Sequence, residues 1–373
     1  MSDRMKQSRM LTRFDQEIVA SKTQVEADCK RAERAAYQAR LGFCKQANEE
    51  LETLRDFYKS RPRVEVSAWL NLVDGLIGHF KDMNSSAREK ILRSHALSSA
   101  AGLARAQALS AAWLAHMDYL RLSSSSMAHH AEEALRLSTH QDHAVRSRVG
   151  LVIAQAYHLS GRLDLALPWY ASARNHAVAE GDDATLSALM HNMAWLRAQR
   201  IRVSDCGLAG EPTKIEEHAL LSAESTASFD LLIGSESMPS LVSVLRAQVL
   251  TVRKHYSDAL ALFEAEMASA LGSGMGRLQA DLLADQAWCR IQLGQRSGAL
   301  DDAESATACI DPEGQFDDRA LAHARLAQVF AALGRGDLAA SNSKLAVEAW
   351  ASHVSIQKKM LEALALVPKL QDN

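Results

Sequence analysis

Residues 149–173 read VGLVIAQAYHLSGRLDLALPWYASA, and this stretch decides the fold of the chain. An apolar run around Ala154 predicts a first helix, and Gly161 supplies the positive φ that ends a helix within a short turn. Ala166 then lies in a second helix. Because two helices that cross closely need small residues at the crossing, the stretch predicts a tight helical hairpin.

The same arrangement returns in three later stretches, 244–266, 284–306 and 324–346, the first of which lacks the turn glycine. An Ala-Trp or Ala-Gln pair marks each apolar run, and its second residues are Trp69, Trp113, Gln155, Trp195, Gln248, Trp288 and Gln328. These residues lie 44, 42, 40, 53, 40 and 40 positions apart. A regular period of this size predicts a repeat array.

This order of small residue, aromatic residue, Gly and Ala, seen over residues 144–350, resembles the tetratricopeptide repeat (TPR). The resemblance implies an all-α fold, a TPR-like α-solenoid in which helical hairpins form a right-handed superhelix. The family repeat is about 34 residues long, whereas the interval here is nearer 40. The longer unit is similar to the repeats in the sensor arrays of maltose-regulator-type bacterial regulators. No ATPase, winged-helix or cyclase segment is found, so only the repeat part of such proteins is resembled.

The pattern divides the chain into three parts. Residues 1–63 are expected to form an N-terminal helical cap or, alternatively, a coiled-coil arm, with a helix break at Leu41-Gly42. Residues 64–352 form the TPR-like repeat array, and residues 353–373 form a C-terminal capping helix and tail. Solenoids need such caps because their end repeats expose apolar surface.

Two irregular stretches interrupt the array. The interval of 53 residues indicates an insertion near 201–215, which we expect to be a surface loop before a helix over Glu216–Leu232. This insertion is either a functional loop or a surface insertion that the fold tolerates. The sequence GSGMG at 272–276 follows no strand and lacks the lysine of a P-loop, so it predicts a loop between repeats.

The charge balance argues against a general nucleic-acid binder. The chain carries 42 Lys and Arg against 45 Asp and Glu, a net charge of −3, whereas phosphate recognition requires a basic excess. The first 13 residues are basic, which indicates a small basic arm or a solvated terminus; the residues concerned are Arg4, Lys6, Arg9 and Arg13.

Cysteine usage and hydropathy indicate a cytoplasmic protein. Five scattered cysteines without a CxxC pair fit a reducing compartment. No apolar run has the roughly 20 residues of a membrane helix, and the N-terminus has no signal-peptide core. We therefore expect no membrane association, and the sequence does not indicate the oligomeric state.

No motif predicts catalysis, a cofactor or a metal site. The densest histidines are His129, His130, His140 and His143, but adjacent histidines on a helix point apart and no HExxH spacing occurs. The GxSxG motif of hydrolases does not occur. Acidic pairs beside turns are explained by helix capping. The chain is therefore expected not to be an enzyme.

The position after the crossing alanine is the candidate binding site. In TPR arrays the matching position of the first helix faces the concave groove, so the resemblance implies a ladder of indoles and amides along such a groove. Indoles dominate binding hot spots and glutamines hydrogen-bond peptide backbone. With neighbours one turn away, the candidate partner-binding residues are Trp113, Arg148, Gln155, His158, His191, Trp195, Gln248, Asp281, Asp285, Trp288 and Gln328. The alternative is that these side chains pack between repeats.

Three functions remain open from the sequence. The first is a non-catalytic protein-protein interaction module, a regulatory or assembly scaffold in signal transduction that binds a partner peptide or helix in a concave groove. The second is a regulatory receptor that senses a small molecule or a peptide. The third, an enzyme or nucleic-acid protein, rests only on scattered histidines and the basic N-terminus.

Overall fold

The described part of the chain consists of helices joined by short connections. The computed structural model describes residues 8–209 and 239–370, and these contain sixteen α-helices and no strand. The all-α prediction is therefore confirmed. None of the described helices is both long enough and apolar enough to cross a membrane.

The helices follow one another with short connections. Their bounds are α1 Arg9–Ala20, α2 Gln24–Arg40, α3 Cys44–Tyr58, α4 Val64–Asp82, α5 Ala87–Ala100, α6 Ala104–Leu120, α7 Ser124–Leu137, α8 His143–Leu159, α9 Leu163–Glu180, α10 Asp183–Asp205, α11 Pro239–Val252, α12 Tyr256–Ala270, α13 Gln279–Gln292, α14 Arg296–Cys309, α15 Phe316–Ala332 and α16 Gly336–Leu364. The predicted loop at 272–276 is instead a π-helical turn over Leu271–Met275, followed by a 3₁₀ turn over Gly276–Leu278.

Contacts between residues divide the chain into two compact units. Of the described residues, unit 1 contains 8–190 and 357–370, and unit 2 contains 191–209 and 239–356. Helices α10 and α16 contribute residues to both. The predicted division into an N-terminal cap, an array and a C-terminal helix stays a prediction.

Within each unit, consecutive helices pack as pairs. In unit 1 the pairs are α4 with α5, α6 with α7 and α8 with α9; in unit 2 they are α11 with α12 and α13 with α14. The first helices of successive pairs also touch, α4 with α6 and α6 with α8 in unit 1, and α11 with α13 and α13 with α15 in unit 2. The crossing alanines Ala154, Ala166, Ala247 and Ala287 are fully buried, as the hairpin pattern predicts.

The turn glycines lie where the sequence predicts them. Gly161, Gly294 and Gly334 have φ values of 74°, 75° and 79°. The residue after Gly161 donates its N–H to the carbonyl of Tyr157 at 2.9 Å, which satisfies a carbonyl left over at the end of α8. Local turn chemistry therefore fixes these three hairpins.

Two hairpins that lack a turn glycine form the same backbone hydrogen bond, but with a non-glycine residue at positive φ in the turn. Leu122 has φ 54° after α6 and Lys254 has φ 64° after α11. The next residues, Ser123 and His255, donate to the carbonyls of Asp118 and Leu250, each at 2.9 Å. A left-handed conformation costs a residue with a Cβ about 1 kcal/mol, so packing imposes the turn here.

The N-terminal region contains three helices where the sequence predicts two. The break at Leu41-Gly42 is confirmed, with Gly42 at φ 90°. A second break separates α1 from α2, and Phe14 packs against Tyr37 across it with ring centroids 6.3 Å apart. Helix α2 packs on both α3 and α4, so the region belongs to the core of unit 1.

The C-terminal helix predicted from residue 353 does not begin as a separate helix. Helix α16 runs without interruption from Gly336 to Leu364. Its last residues pack into the apolar cluster of α6, α7 and α8, where Met360 and Leu364 are fully buried. The amide of Gln357 also donates to the carbonyl of Leu159 at 2.7 Å. These residues therefore pack in the core of unit 1.

Other predictions fall partly or wholly outside the described residues. Arg4 and Lys6 of the basic N-terminus lie outside them, as does the helix expected over Glu216–Leu232. Of the predicted loop at 201–215, residues 201–205 are helical and continue α10, and residues 210–215 lie outside the described part.

Candidate functional site

The predicted binding residues fall into two groups by burial. Seven of the eleven are buried, namely Trp113, Arg148, Gln155, His158, Gln248, Asp281 and Asp285. The other four are half-buried, namely His191, Trp195, Trp288 and Gln328. The structure thus places most of the predicted binding residues inside the protein. Their role in partner binding stays a prediction.

In unit 1 two arginines lie over the buried indole of Trp113. Arg148, on α8, lies over the Trp113 ring with its guanidinium carbon 4.0 Å from the centroid, and Arg40, at the end of α2, lies at 5.7 Å. A cation over an indole face is favourable by about 1 to 2 kcal/mol when desolvated. This stacking gives Trp113 a structural partner that its position in the sequence did not reveal.

The two guanidiniums share one carboxylate and one hydroxyl. Arg40 donates through Nη2 to both oxygens of Asp182, at 2.7 and 2.8 Å, and to Oγ1 of Thr185 at 2.7 Å. Arg148 donates to the same Oγ1 at 3.4 Å. Two cations against one anion leave this interior with a formal excess of one positive charge. Asp182 and Thr185 precede and begin α10, so the cluster ties α2, α6 and α8 to the start of α10.

Burial, reinforced by this excess charge, lowers the pKa values of the nearby titrating groups. Burial, reinforced by the charge of Arg40, lowers the pKa of Arg148 to about 9, so its guanidinium remains charged at neutral pH. Burial and the charge of Arg148 lower the pKa of His79 to about 4. Burial and Arg148 also lower the pKa of His116 well below its usual range. Both imidazoles are therefore neutral at pH 7.

The remaining two predicted residues of unit 1 lie on α8. Gln155 is buried, and no donor in the described part of the chain reaches its Oε1. The Nδ1 atom of His158 lies 3.2 Å from the hydroxyl of Tyr170 on α9. His158 therefore links the two helices of one hairpin.

In unit 2 the predicted residues Asp281 and Asp285 form the centre of a buried ion cluster. Arg202, on α10, donates through Nη2 to one oxygen of each carboxylate, both at 2.6 Å. Arg325, on α15, donates through Nε to Asp285 at 2.8 Å and through Nη2 to Asp205 at 2.8 Å. The cluster thus joins α10, α13 and α15.

The cluster is closed by Gln248 of α11, whose amide donates to Asp281 at 3.0 Å and to Asp285 at 3.5 Å. Burial raises the pKa of Asp281 against the opposing charge of Arg202. Burial would lower the pKa of Arg202, but the carboxylates of Asp281 and Asp285 outweigh it and raise that pKa. Each charge in this cluster is paired with an opposite charge, and these ion pairs join the helices of unit 2.

The half-buried indoles lie at two different helix pairs of unit 2. Trp195 and His191 line a narrow, mostly apolar cleft of about 30 Å³ between α10 and α11. Trp288, on α13, has the Arg325 guanidinium 5.5 Å from its ring centroid. Gln328 accepts from Arg325 at 2.6 Å and donates to the carbonyl of Asp205 at 2.9 Å.

Sequence reasoning missed the arginines that pair with the predicted residues. Arg40, Arg202 and Arg325 were not among the candidates, nor were Asp182 and Asp205. One signal was present in the repeat period, because Arg325 follows its partner Asp285 by 40 residues. Nothing in the sequence marks the pair of Arg40 and Asp182, which are 142 residues apart.

A separate cavity of about 480 Å³ lies in unit 1, among α7, α8, α9 and residues 368–370. Its lining includes Arg136, His140, Arg146, Trp169, His176 and Lys369. The volume falls within the range of small-molecule sites. No predicted binding residue lines it.

Two of the histidines considered for a metal site, His130 and His143, lie against other side chains. Nδ1 of His130 lies 2.7 Å from Asp118, and Nδ1 of His143 lies 2.9 Å from Nδ1 of His176. Within residues 8–209 and 239–370, no group of three or more His, Cys, Asp or Glu side chains is arranged to hold a metal ion.

No family model matches the chain, and no curated protein matches it.

Proposed function

We propose that the chain is a non-catalytic binding module whose helical hairpins stack as a TPR-like α-solenoid. It would hold a peptide or a helix of a partner protein, in regulation or in the assembly of a complex in the cytoplasm. The single observation that supports this most is the contact pattern inside each unit. Each hairpin packs on itself, and its first helix touches the first helix of the next hairpin. That is how stacked repeats build an extended surface.

The repeated turn supports the same proposal. Five hairpins end their first helix with the same bond, in which an N–H reaches back five residues to a carbonyl; the donors are Ser123, Arg162, His255, Gln295 and Arg335. Three of these turns use glycine and two use Leu122 or Lys254. The same bond also ends α2, α5 and α9, where Phe43, Leu103 and Asp182 are the donors. The support for a repeated unit therefore comes from the spacing of these five turns along the chain.

The surface we assign to the partner is the half-buried part of the predicted ladder. Trp195 and Trp288 keep part of their indoles accessible, whereas Trp113 is enclosed by Arg148 and its neighbours. Partly accessible indoles supply large contact area at a low cost in side-chain entropy. Partner binding in unit 2 therefore depends on these two residues.

Affinity capture from native lysate tests the proposal. The wild type is compared with a Trp195→Ala/Trp288→Ala double variant, and Trp350→Ala, another half-buried indole of unit 2, is the control of equal size. We expect a partner that the wild type and the control retain and the double variant loses, although all three keep the same helical content. A partner retained by the double variant at wild-type yield would contradict the assigned surface.

A regulatory receptor for a small molecule is the second candidate. It is favoured by the 480 Å³ cavity of unit 1, which the protein-binding proposal does not use. A ligand that binds only the folded protein raises its apparent stability. Ligand-dependent stabilisation is therefore the observation that would favour this candidate.

A further inference from the structure

The cavity of unit 1 is strongly cationic. Arg136, Arg146 and Lys369 line it together with one carboxylate, that of Glu132, which leaves a formal excess of two positive charges with the histidines neutral. Glu132 lies 3.8 Å from Arg136 on the exposed side of α7. A concave site lined by one sign of charge concentrates ions of the opposite sign.

Arg146 is the inner charge of this cavity and has no carboxylate partner among the described residues. Its Nε and Nη2 atoms donate to the carbonyls of Thr139, Leu135 and Ser138, at 3.3, 3.1 and 2.5 Å, which caps the end of α7. Burial lowers the pKa of Arg146, and Asp142 only partly opposes this. Backbone carbonyls orient the guanidinium but do not neutralise it.

His176 also lines the cavity, and its pKa lies below the usual histidine value. Burial is the largest cause, the neighbouring His143 is the next, and Arg146 and His140 lower the pKa further. Arg146, one contributor to this shift, lines the same cavity as His176.

The cavity also has an aromatic side. Trp169, on α9, is half-buried, packs against the apolar cluster of unit 1 and lines the cavity. An indole provides a flat apolar surface for a planar ring. A volume of about 480 Å³ accommodates a ring that carries a charged group.

We propose that this cavity binds a small aromatic anion, a planar ring that bears a carboxylate or a phosphate. The ring packs on Trp169, and the anionic group lies among Arg136, Arg146 and Lys369. This site lies in unit 1 and takes a small ligand, whereas the protein-binding proposal concerns Trp195 and Trp288 of unit 2. Either proposal can therefore fail alone.

Calorimetric titration of the full chain tests the proposal with two matched pairs of probes. 1-Naphthoate and adenosine 5′-monophosphate carry a carboxylate and a phosphate, and 1-naphthalenemethanol and adenosine are their neutral counterparts. We expect saturable binding of at least one anion, at least tenfold tighter than its neutral counterpart and weaker as salt is added. The anion that binds identifies which acidic group the site prefers.

Variants of exposed charges locate the binding. Arg136→Gln/Lys369→Gln removes two cations from the cavity, and Arg93→Gln removes an equally exposed arginine of unit 1 that lies outside it. The double variant is expected to bind the anion about tenfold more weakly, and the control to bind it as the wild type does. Failure of both anions to bind below about 1 mM, equal binding of a neutral counterpart, or unchanged affinity of the double variant would overturn the proposal.

Discussion

Replacement of Asp285 by Asn tests the buried ion cluster of unit 2. The Asp285 carboxylate is fully buried and accepts hydrogen bonds from Arg202 at 2.6 Å and from Arg325 at 2.8 Å. Asn has nearly the same shape but no charge, so two buried guanidiniums would lose a counter-ion that they share. Breaking a buried ion pair by removal of one partner costs about 3 to 5 kcal/mol.

The expected loss for Asp285→Asn lies at the lower end of that range. Arg202 retains Asp281 and Arg325 retains Asp205, so each guanidinium keeps one carboxylate. We expect the free energy of local unfolding of α13 and α15 to fall by about 3 kcal/mol. Each 1.4 kcal/mol is a factor of ten, so amide exchange in these helices should be about 100-fold faster.

Native-state hydrogen-deuterium exchange with mass spectrometry measures this loss helix by helix. The helices of unit 1 serve as an internal reference, and Asp258→Asn, an exposed carboxylate of α12, is the matched control. Surface changes of that kind alter stability by less than about 0.5 kcal/mol. A change of less than about fivefold in α13 exchange for Asp285→Asn would refute the view that the cluster holds these helices.

Four further substitutions have expected outcomes in chemical denaturation. Gly75→Ala places a Cβ 2.6 Å from Cγ1 of Ile91 and should destabilise the fold by about 1 to 3 kcal/mol, whereas Gly272→Ala meets open space and should be nearly neutral. Lys254→Gly relieves a left-handed residue and should stabilise by up to about 1 kcal/mol; a loss of stability would contradict the strain. The pKa of His79 is about 4 in the folded protein, below its value in the unfolded chain. The neutral His79 therefore contributes its full stability at a pH above the unfolded pKa. That contribution is lost as the pH falls towards 4. His79→Gln should therefore lose less stability than the wild type between about pH 7 and about pH 5, and parallel curves would contradict this.

The hairpins were predictable from the sequence because their causes are local. Buried alanines at the helix crossing and glycines with positive φ in the turn lie within about 20 residues of each other. Ala154 and Gly161 illustrate both features. Turns at Leu122 and Lys254 were not predictable from residue type, because packing imposes a conformation that those residues disfavour.

The continuity of α16 was visible in the sequence. Residues 349–357 read AWASHVSIQ and contain neither Gly nor Pro, so nothing there ends a helix. The predicted boundary at 352 follows the end of the repeat pattern, and no helix-terminating residue lies there. The packing of Met360 on α6 to α8 joins parts of the chain some 200 residues apart, which no local pattern encodes.

The site was only partly predictable. The ladder and its neighbours include Trp113, Asp281 and Asp285, and the structure places them in the buried clusters that join first helices. Arg40 comes from a distant helix and lies over the Trp113 ring, and Gln248 is held by Asp281, 33 residues further along the chain. No local pattern encodes either contact, so the burial of Trp113 and Gln248 could not be read from the sequence.

Site-specific photo-crosslinking from position 195 tests the protein-binding proposal most directly. A photoreactive amino acid replaces Trp195, and in the control it replaces Val178, an exposed residue of unit 1. We expect a protein that crosslinks only from position 195, and a synthetic peptide of its crosslinked region that binds the wild type at least tenfold more tightly than Trp195→Ala/Trp288→Ala. Identical crosslinks from both positions, or a peptide that binds both forms equally, would contradict the proposal that unit 2 holds a partner through these indoles.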